Sequence, residues 1–255
     1  MEKSEILIKL VHRLSLLFGS KGLTVKDMLK LFQLYHGLSG HDKIGVLARL
    51  ICLQPIAEMM KKYIARLSVI VDLGCGYGLL SNFAALNFAA TVYGVDNSYP
   101  RIQIARKSAA ENIDVHFYHD NILKTKLPKC NAILLIDVCL MLNDLEYQRL
   151  LAKCRQALKP DGVLIIKDTT KEPFWKSFYT YLEDKAKFAL SVYGYKFHGT
   201  PKHRSPSETK TILERSKFKI VEKRIVRTIL PYPGIIYVCK SLTTRRKPQR
   251  HQDTK

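Results

Sequence analysis

Two kinds of hydrophobic spacing divide the chain into an N-terminal part and a longer remainder. Apolar residues recur at helical spacing in residues 4–18, after a capping residue at Thr24, and in residues 43–66, where Pro55 interrupts the pattern. From residue 68 onward, short apolar runs alternate with helical patterns. This alternation predicts strands at 68–73, 91–96, 114–119, 131–138 and 162–168, and helices at 78–89, 99–111, 144–158 and 172–190.

The predicted strands have the composition of a parallel sheet. Residues 132–136 are all apolar, as a strand must be when helices cover both faces of the sheet. After a helix capped by Ser207, two runs at 218–228 and 235–239 are joined through a Pro-Gly turn and predict an antiparallel pair. We therefore predict an α/β fold with a Rossmann-like open twisted sheet of about seven strands, mostly parallel, with a C-terminal antiparallel hairpin.

These patterns predict three segments along the chain. Residues 1–67 form an N-terminal helical cap, residues 68–241 form the main domain, and residues 242–255 form a basic disordered tail. The N-terminal helices have two interpretations: they pack against the main domain, or they lie on a membrane surface or close over a substrate.

The net charge of +20 is concentrated at the two ends of the chain. Residues 68–170 carry 11 basic and 10 acidic side chains, whereas residues 171–255 carry 20 basic and 7 acidic side chains. Such an excess attracts nucleic acid, phospholipid headgroups or an acidic metabolite, or it only keeps the protein in solution. Both interpretations stay open. Four basic residues also share one face of a predicted strand, as an edge protected against aggregation or as a binding face: Lys217, Lys219, Lys223 and Arg227.

The six cysteines are scattered singly, with no CxxC pair and no cluster at zinc-ligand spacing. This predicts a reducing compartment, no disulfide framework and no metal. No apolar run is long enough to span a bilayer, and charged residues interrupt the N-terminal apolar pattern, so we expect no signal peptide. The expected location is the cytoplasm, with peripheral contact at the inner membrane face as an extension.

A glycine-rich turn after the first predicted strand carries the clearest chemistry. The strand ends at Asp72, and Gly74, Gly76 and Gly78 let the backbone turn sharply and approach a ligand. Asp96 ends the next strand, where a carboxylate can accept the hydroxyl groups of a ribose. The third strand ends at Asp120 and Asn121, and the fourth ends at Asp137, at the edge where ligands of open sheets bind.

These motifs, in this order, resemble those of class I S-adenosylmethionine-dependent methyltransferases, in the subgroup that acts on small molecules and lipids. The resemblance rests on residues 72–78, Asp96, Asp120, 137–142 and 158–164, within residues 68–170. It implies that S-adenosylmethionine is the cofactor, with Gly74 and Gly76 along its methionine part, Asp96 at the ribose and Asp120 at the adenine. The implied cofactor-binding residues are Asp72, Gly74, Cys75, Gly76, Gly78, Asp96, Asn97, Asp120, Asn121 and Asp137.

Three residues qualify the resemblance. His119 stands where the family usually has a glycine, and Cys75 occupies a position that varies in the family. Leu79 replaces the last glycine of the dinucleotide fingerprint, which argues against a nicotinamide enzyme.

Methyl transfer needs a general base only if the acceptor is a hydroxyl or a protonated amine. The candidates are His198, in a loop expected to overhang the carboxyl edge of the sheet, and Asp137, with Lys167 and Asp168 as further groups, unless those two form a salt-bridged strand end. His198 is the best single candidate for the base, and Asp137 is equally suited to a structural or cofactor-side role.

Three functions are compatible with these features. The first is a methyltransferase of a small or lipid-linked acceptor, working at a membrane surface, because residues 174–179 are rich in aromatic side chains. The second is an RNA methyltransferase, although the Asn/Asp-Pro-Pro-aromatic motif is absent after the fourth strand. The third is a non-catalytic binding protein. The RNA hypothesis assigns phosphate contacts to the basic tail and to Lys202, Arg204, Lys217, Lys219, Lys223 and Arg227.

Overall fold

The computed structural model describes residues 2–17, 21–38, 40–109, 114–189, 201–226 and 233–242. The helices are α1 Glu2–Leu17, α2 Val25–Gln33, α3 Gly40–Tyr63, α4 Leu79–Phe88, α5 Tyr99–Ser108, α6 Asp144–Ala157, α7 Phe174–Ala189 and α8 Pro206–Arg215. The strands are β1 Val69–Leu73, β2 Thr91–Asp96, β3 Val115–His119, β4 Cys130–Ile136, β5 Leu158–Thr169, β6 Phe218–Val226 and β7 Gly234–Ser241.

The seven strands form one sheet in the order β3-β2-β1-β4-β5-β7-β6. Neighbours from β3 to β5 are parallel, and β7 pairs antiparallel with both β5 and β6. From β1 the sheet extends through β2 to β3 on one side, and from β4 it extends through β5 on the other. The strand order therefore reverses between β1 and β4, and the crevice at the carboxyl ends of these two strands is the expected place for a ligand. The predicted α/β fold with a C-terminal antiparallel hairpin is confirmed.

Hydrophobic clusters cover both faces of the sheet. One cluster joins β1, β2, β4, β5 and β7 to α1–α4, and the other joins the opposite face to α6 and α8. The first includes Ile8, Met28 and Leu50 from the N-terminal helices, all buried together with Ile70 and Leu134 of the sheet. The N-terminal helices therefore pack on the sheet, as the first interpretation of the sequence predicted.

The observed elements differ from the predictions in a few places. Ser205, and not Ser207, caps α8, because the hydroxyl of Ser205 accepts the backbone N–H of Glu208 in a capping box. Strand β5 begins at Leu158, before the predicted turn, and Asp161 keeps a left-handed φ of 65° within it. The predicted helix at 99–111 ends at Ser108. Residues 227 and 228 and the tail beyond 242 lie outside the described residues.

The linker between α1 and α2 is fastened to the middle of α3. The side chain of Gln54, which is buried, accepts the backbone N–H of Leu23 at 2.7 Å and donates to its carbonyl oxygen at 3.3 Å. Gly22 lies so close to α3 that an added Cβ would come within 1.9 Å of the carbonyl oxygen of Gln54. Pro55, on the same helix, does not end it.

We predict that Gly22→Ala destabilises the fold by about 1–3 kcal/mol, because the methyl group would displace backbone that has no room to move. The measurement is urea denaturation followed by circular dichroism. Gly37→Ala is the matched control, since no atom lies within 4 Å of its added Cβ. Equal midpoints for the two variants would contradict the close packing of the linker on α3.

Candidate functional site

The turn after β1 carries the three glycines at the carboxyl edge of the sheet. Gly74, Gly76 and Gly78 have φ values of 81°, 55° and 78°, in the left-handed region that glycine adopts without steric cost. The backbone N–H groups of Gly74 and Cys75 both donate to the carbonyl oxygen of Val95, at 2.7 and 3.1 Å. These bonds hold the turn against the end of β2.

The three glycines face different surroundings. A Cβ at Gly74 would lie 2.3 Å from Val138, and one at Gly78 would lie 2.5 Å from the ring of Phe117. At Gly76, in contrast, no atom of the described residues apart from its two chain neighbours lies within 4 Å of the added Cβ. Gly74 and Gly78 are therefore required by packing, whereas Gly76 borders open space beside the turn, where a bound molecule can contact the backbone.

Asp96 connects this turn to the end of β2. Its buried carboxylate accepts the backbone N–H of Gly76 at 2.9 Å through Oδ2 and that of Ser98 at 2.8 Å through Oδ1. Two backbone donors offset part of the cost of burying the charge. Each carboxylate oxygen can accept more than one hydrogen bond, so Asp96 retains capacity for the hydroxyl groups of a ligand.

Asp72 lies below the turn and is buried. Its Oδ2 accepts the hydroxyl of Ser81 on α4 at 2.7 Å. Burial raises the pKa of Asp72 to about 6, and the nearby Asp96 adds to the increase, while the Ser81 hydrogen bond opposes it. The observed role of Asp72 is therefore to fix the first turn of α4 behind the glycine loop. Its contribution to cofactor binding stays a prediction.

The loop after β3 places polar groups next to the loop after β2. The backbone N–H of Asp120 donates to the carbonyl oxygen of Asp96 at 3.1 Å. The side chain of Asn121 accepts the N–H of Leu123 at 2.8 Å and so forms the turn that follows. The ring of His119, at the unusual position, lies 3.0 Å from the carbonyl oxygen of Asn97. These contacts bring the loop after β3 next to the loop after β2, which begins at Asp96.

The N-terminal helices reach the glycine turn through Tyr35, which was not among the predicted site residues. Tyr35 follows α2 in the chain and is buried, and its hydroxyl donates to the carbonyl oxygen of Tyr77 at 2.8 Å. The side-chain amide of Asn82 on α4 donates to the same hydroxyl at 3.0 Å and to Ser108 at 2.8 Å. Burial raises the pKa of Tyr35, so it remains a neutral donor. The signal in the sequence was the hydroxyl of Tyr35, a polar group at the end of the apolar stripe of α2, which needs a hydrogen-bond partner when it is buried.

At the end of β4, Asp137 adopts a left-handed φ of 56°, which is rare for a residue other than glycine. Its carboxylate forms an ion pair with Lys167 of β5, and its backbone N–H donates to the carbonyl oxygen of Lys167 at 2.8 Å. Burial alone would lower the pKa of Lys167, but the Asp137 carboxylate outweighs this effect and raises it. The salt bridge thus joins β4 to β5, and does not pair Lys167 with Asp168 as one interpretation had it.

Asp168 points to the opposite face of the sheet from Lys167 and is buried. Burial raises its pKa to about 7, the Asp137 charge adds to the increase, and the N–H of Thr169 and the charge of Arg204 oppose it. One of its oxygens accepts the Thr169 N–H at 3.0 Å. Asp168 is therefore a buried acid that exchanges a proton near neutral pH.

Arg204 binds the segment 139–144 that follows β4, a structural role that the sequence did not predict. Only 4% of it is exposed. Its guanidinium donates to the carbonyl oxygens of Cys139 at 2.8 Å and Leu142 at 2.6 Å, and to the carboxylate of Asp144 at 3.0 Å. The predicted phosphate contact of Arg204 is therefore wrong, because the side chain is buried and its donors are used within the protein. Lys202, also assigned to phosphate, pairs with Asp144 at 2.8 Å but is exposed.

His198, the first candidate for a base, lies outside the described residues. His203, five residues further along the chain, is buried, and its Nδ1 lies 3.5 Å from the hydroxyl of Ser177 on α7. Among the described residues, no group of three His, Cys, Asp or Glu side chains is arranged to hold a metal ion.

The fold and the turn can be compared with those of known proteins. A glycine turn, an acid that accepts one of its N–H groups and a sheet ordered 3-2-1-4-5-7-6 are elements of the class I S-adenosylmethionine-dependent methyltransferase fold. Residues 70–162 match the family model described as a methyltransferase domain. This segment is thus similar to a methyltransferase domain, and the resemblance inferred from the motifs is confirmed.

Relatives of known function agree on the domain and differ in what they act on. The chain is 33% identical over 102 residues to the ubiquinone biosynthesis O-methyltransferase of Actinobacillus pleuropneumoniae serotype 5b (strain L20), covering 37% of this chain and 43% of the relative. It is 29% identical over 119 residues to the ribosomal protein L11 methyltransferase of Dictyoglomus turgidum, covering 45% of this chain and 37% of the relative. The chain spans less than half the length of these curated relatives.

The fold also matches a solved structure over most of the chain. The magnesium protoporphyrin IX methyltransferase of Synechocystis PCC 6803, solved with bound SAH, superposes with a TM-score of 0.60 at 16% identity. The match covers 82% of this chain and 91% of that one. At this identity the likeness establishes the fold alone.

We predict that Asp168→Asn stabilises the protein increasingly as pH rises. A carboxyl whose folded pKa is raised from 3.8 to about 7 contributes stability below pH 4 and loses it as pH rises toward 7. The variant should therefore gain about 2 kcal/mol over the wild type between about pH 5 and pH 8. The measurement is urea denaturation at both pH values. Glu214→Gln, at an exposed position, controls for the removal of one negative charge. A pH-independent difference would contradict the buried-acid assignment.

Proposed function

We propose that this protein is an S-adenosylmethionine-dependent methyltransferase acting on a small or lipid-linked acceptor at a membrane surface. The observation that carries the cofactor part is the open space at Gly76 beside the buried Asp96 carboxylate. A ligand that lies along the backbone at Gly76 and ends in a ribose at Asp96 fits this arrangement. Asp72, Gly74, Cys75 and Gly78 support the turn, and Asn97, Asp120 and Asn121 border the adenine side.

The residues of the chain have distinct tasks in this proposal. When bound, the cofactor supplies an electrophilic methyl group on a sulfonium. Asp96 and the glycine turn hold it in a fixed place, because much of the catalysis in methyl transfer comes from positioning. On the acceptor side, Lys167 remains protonated beside Asp137 and cannot accept a proton. The carboxylate of Asp137, with its side chain 46% exposed, is then the proton acceptor among the described pair, with His198 as a second candidate.

The preference for a small or lipid-linked acceptor rests on the chain's own surface. Aromatic side chains of α7, including Phe174, Trp175 and Phe178, are exposed beside the segment that follows β5. Of the two relatives, the ubiquinone biosynthesis O-methyltransferase is named for a small-molecule pathway and agrees with this preference. The ribosomal protein L11 methyltransferase is named for a protein acceptor and does not. None of the helices in the described part of the chain is long and apolar enough to cross a membrane. Within this proposal, contact with a bilayer is peripheral.

We predict that the wild-type protein binds S-adenosylmethionine and that Asp96→Ala lowers the affinity by about 10- to 100-fold, because the N–H of Gly76 in the turn and the N–H of Ser98 after β2 both lose their acceptor. Gly76→Val should lower it similarly, since the side chain would fill the open space. Isothermal titration calorimetry measures both.

Ile225→Ala, at a 71% exposed position of the edge strand β6, is the control and should bind as the wild type does. Melting curves of all variants separate lost affinity from lost folding. Wild-type protein that does not bind, or binding that survives both site substitutions, would favour the non-catalytic alternative or a different cofactor site.

An RNA acceptor remains the alternative because the exposed positions of β6 carry Lys219 and Lys223 along the edge of the sheet. If RNA is the acceptor, affinity falls steeply with salt and Lys219→Gln with Lys223→Gln weakens it by about tenfold. We expect no such effect in filter-binding titrations. Lys210→Gln, on α8 and already paired with Glu214, is the matched control for the loss of a positive charge. A strong, salt-dependent affinity reduced only by the β6 pair would replace the lipid proposal.

A further inference from the structure

Helix α7 exposes its large apolar side chains to solvent and buries small hydroxyl side chains against the protein. Phe174, Trp175 and Phe178 are 78%, 64% and 53% exposed, and Tyr179 and Leu182 are also more than half exposed. The side chains that the helix buries are instead those of Ser177 and Thr180, at 8% and 2% exposure. A surface helix normally turns its apolar stripe toward the core.

The exposed side chains form one continuous surface, which we call the α7 aromatic face: Phe174, Trp175, Phe178, Tyr179 and Leu182. Residues three and four apart lie on the same side of a helix, so these positions are neighbours. The rings of Phe174 and Phe178 are stacked, with centroids 6.1 Å apart. Contiguous apolar surface of this kind marks a contact with another molecule or with a membrane.

Two lysines border this face. The ammonium group of Lys176 lies 5.3 Å from the centre of the Trp175 ring, and Lys185 is exposed one turn beyond Leu182. Glu183, four residues after Tyr179, also borders the face and is half-buried. The segment to which α7 belongs, residues 171–255, carries 20 basic and 7 acidic side chains. An apolar aromatic face edged by lysines is complementary to an anionic lipid surface, where rings lie at headgroup depth and ammonium groups meet phosphates.

The helix is also attached to the acceptor side of the candidate site. It begins at Phe174, six residues after Asp168 at the carboxyl end of β5. Its buried side contacts the loop held by Arg204, since Ser177 lies 3.5 Å from His203 and the Tyr181 ring meets the His203 ring edge-on. A membrane that contacts α7 would therefore lie near the edge of the sheet where Asp137 is exposed.

We propose that the α7 aromatic face inserts into the headgroup region of an anionic membrane and brings the acceptor side of the site to the bilayer surface. This inference deepens the membrane part of the proposed function, on which it rests, and assigns that contact to α7. It does not depend on cofactor binding.

The chain contains a single tryptophan, Trp175, so intrinsic fluorescence reports on this face alone. We expect the emission of the free protein to be that of an exposed indole, quenched readily by iodide. Vesicles of mixed phosphatidylcholine and phosphatidylglycerol should shift it to shorter wavelength and protect it from iodide. Vesicles of phosphatidylcholine alone should give a much weaker response, because the lysines then have no anionic headgroups to meet.

A double variant, Phe174→Ser with Phe178→Ser, keeps the reporter and removes two of the apolar contacts. Its partitioning onto the anionic vesicles should fall by about tenfold or more. Ile225→Ser, which removes a 71% exposed apolar side chain from β6, is the matched control and should partition as the wild type does. Both variants should keep the melting curve and the S-adenosylmethionine affinity of the wild type.

Three results would overturn the proposal. A Trp175 that is already shielded from iodide without vesicles would show that the protein itself covers the face. Loss of a dimer in the Phe174→Ser and Phe178→Ser variant, measured by sedimentation velocity, would show that a second copy covers it. An unchanged spectrum with anionic vesicles would exclude insertion. None of these results bears on cofactor binding, so a failure here is distinguishable from a failure of the methyltransferase proposal.

Discussion

The carboxylate of Asp96 holds together the two loops on which the candidate site depends. One oxygen accepts the N–H of Gly76 in the turn after β1, the other accepts the N–H of Ser98 after β2, and the carbonyl oxygen of the same residue accepts Asp120. A buried charge is tolerated only with such partners. Because the partners are backbone groups, satisfying the charge also fixes the path of the chain, and the space beside Gly76 remains open as a consequence.

The N-terminal helices also satisfy a buried polar group, and in doing so they contact both the core and the glycine turn. A parallel sheet needs cover on both faces, and α1–α3 share one hydrophobic cluster with the sheet. Within that cluster the hydroxyl of Tyr35 would be costly without a partner, and it finds one in the carbonyl oxygen of Tyr77. Packing of the helices and the position of the glycine turn are therefore coupled through a hydrogen bond in the interior.

The sequence predicted what depends on neighbours along the chain. Apolar runs gave the strands, and the acid and glycine spacing gave the turn with Asp72 and Asp96. What it missed depends on partners distant in sequence: Tyr35 and Tyr77 are 42 residues apart, Asp137 and Lys167 are 30 apart, and Arg204 and Asp144 are 60 apart. Composition suggested that Arg204 was a surface charge, because no local pattern distinguishes an exposed arginine from one that is buried with satisfied donors.

Charge is distributed unevenly between the segment that carries the glycine turn and the segment that carries α7. Residues 68–170 carry nearly balanced charge, and at the glycine turn the guanidinium groups of Arg49 and Arg101 lie 4.7 and 5.6 Å from the centre of the Tyr77 ring. The positive charge lies in the segment that contains α7, where apolar rings face outward and hydroxyl groups face inward. Folding alone does not favour that orientation, because it leaves aromatic surface in water. An anionic surface that covers the rings and meets the lysines would remove this cost, and it would also place the substrate beside Asp137 without any steering by the cofactor site itself.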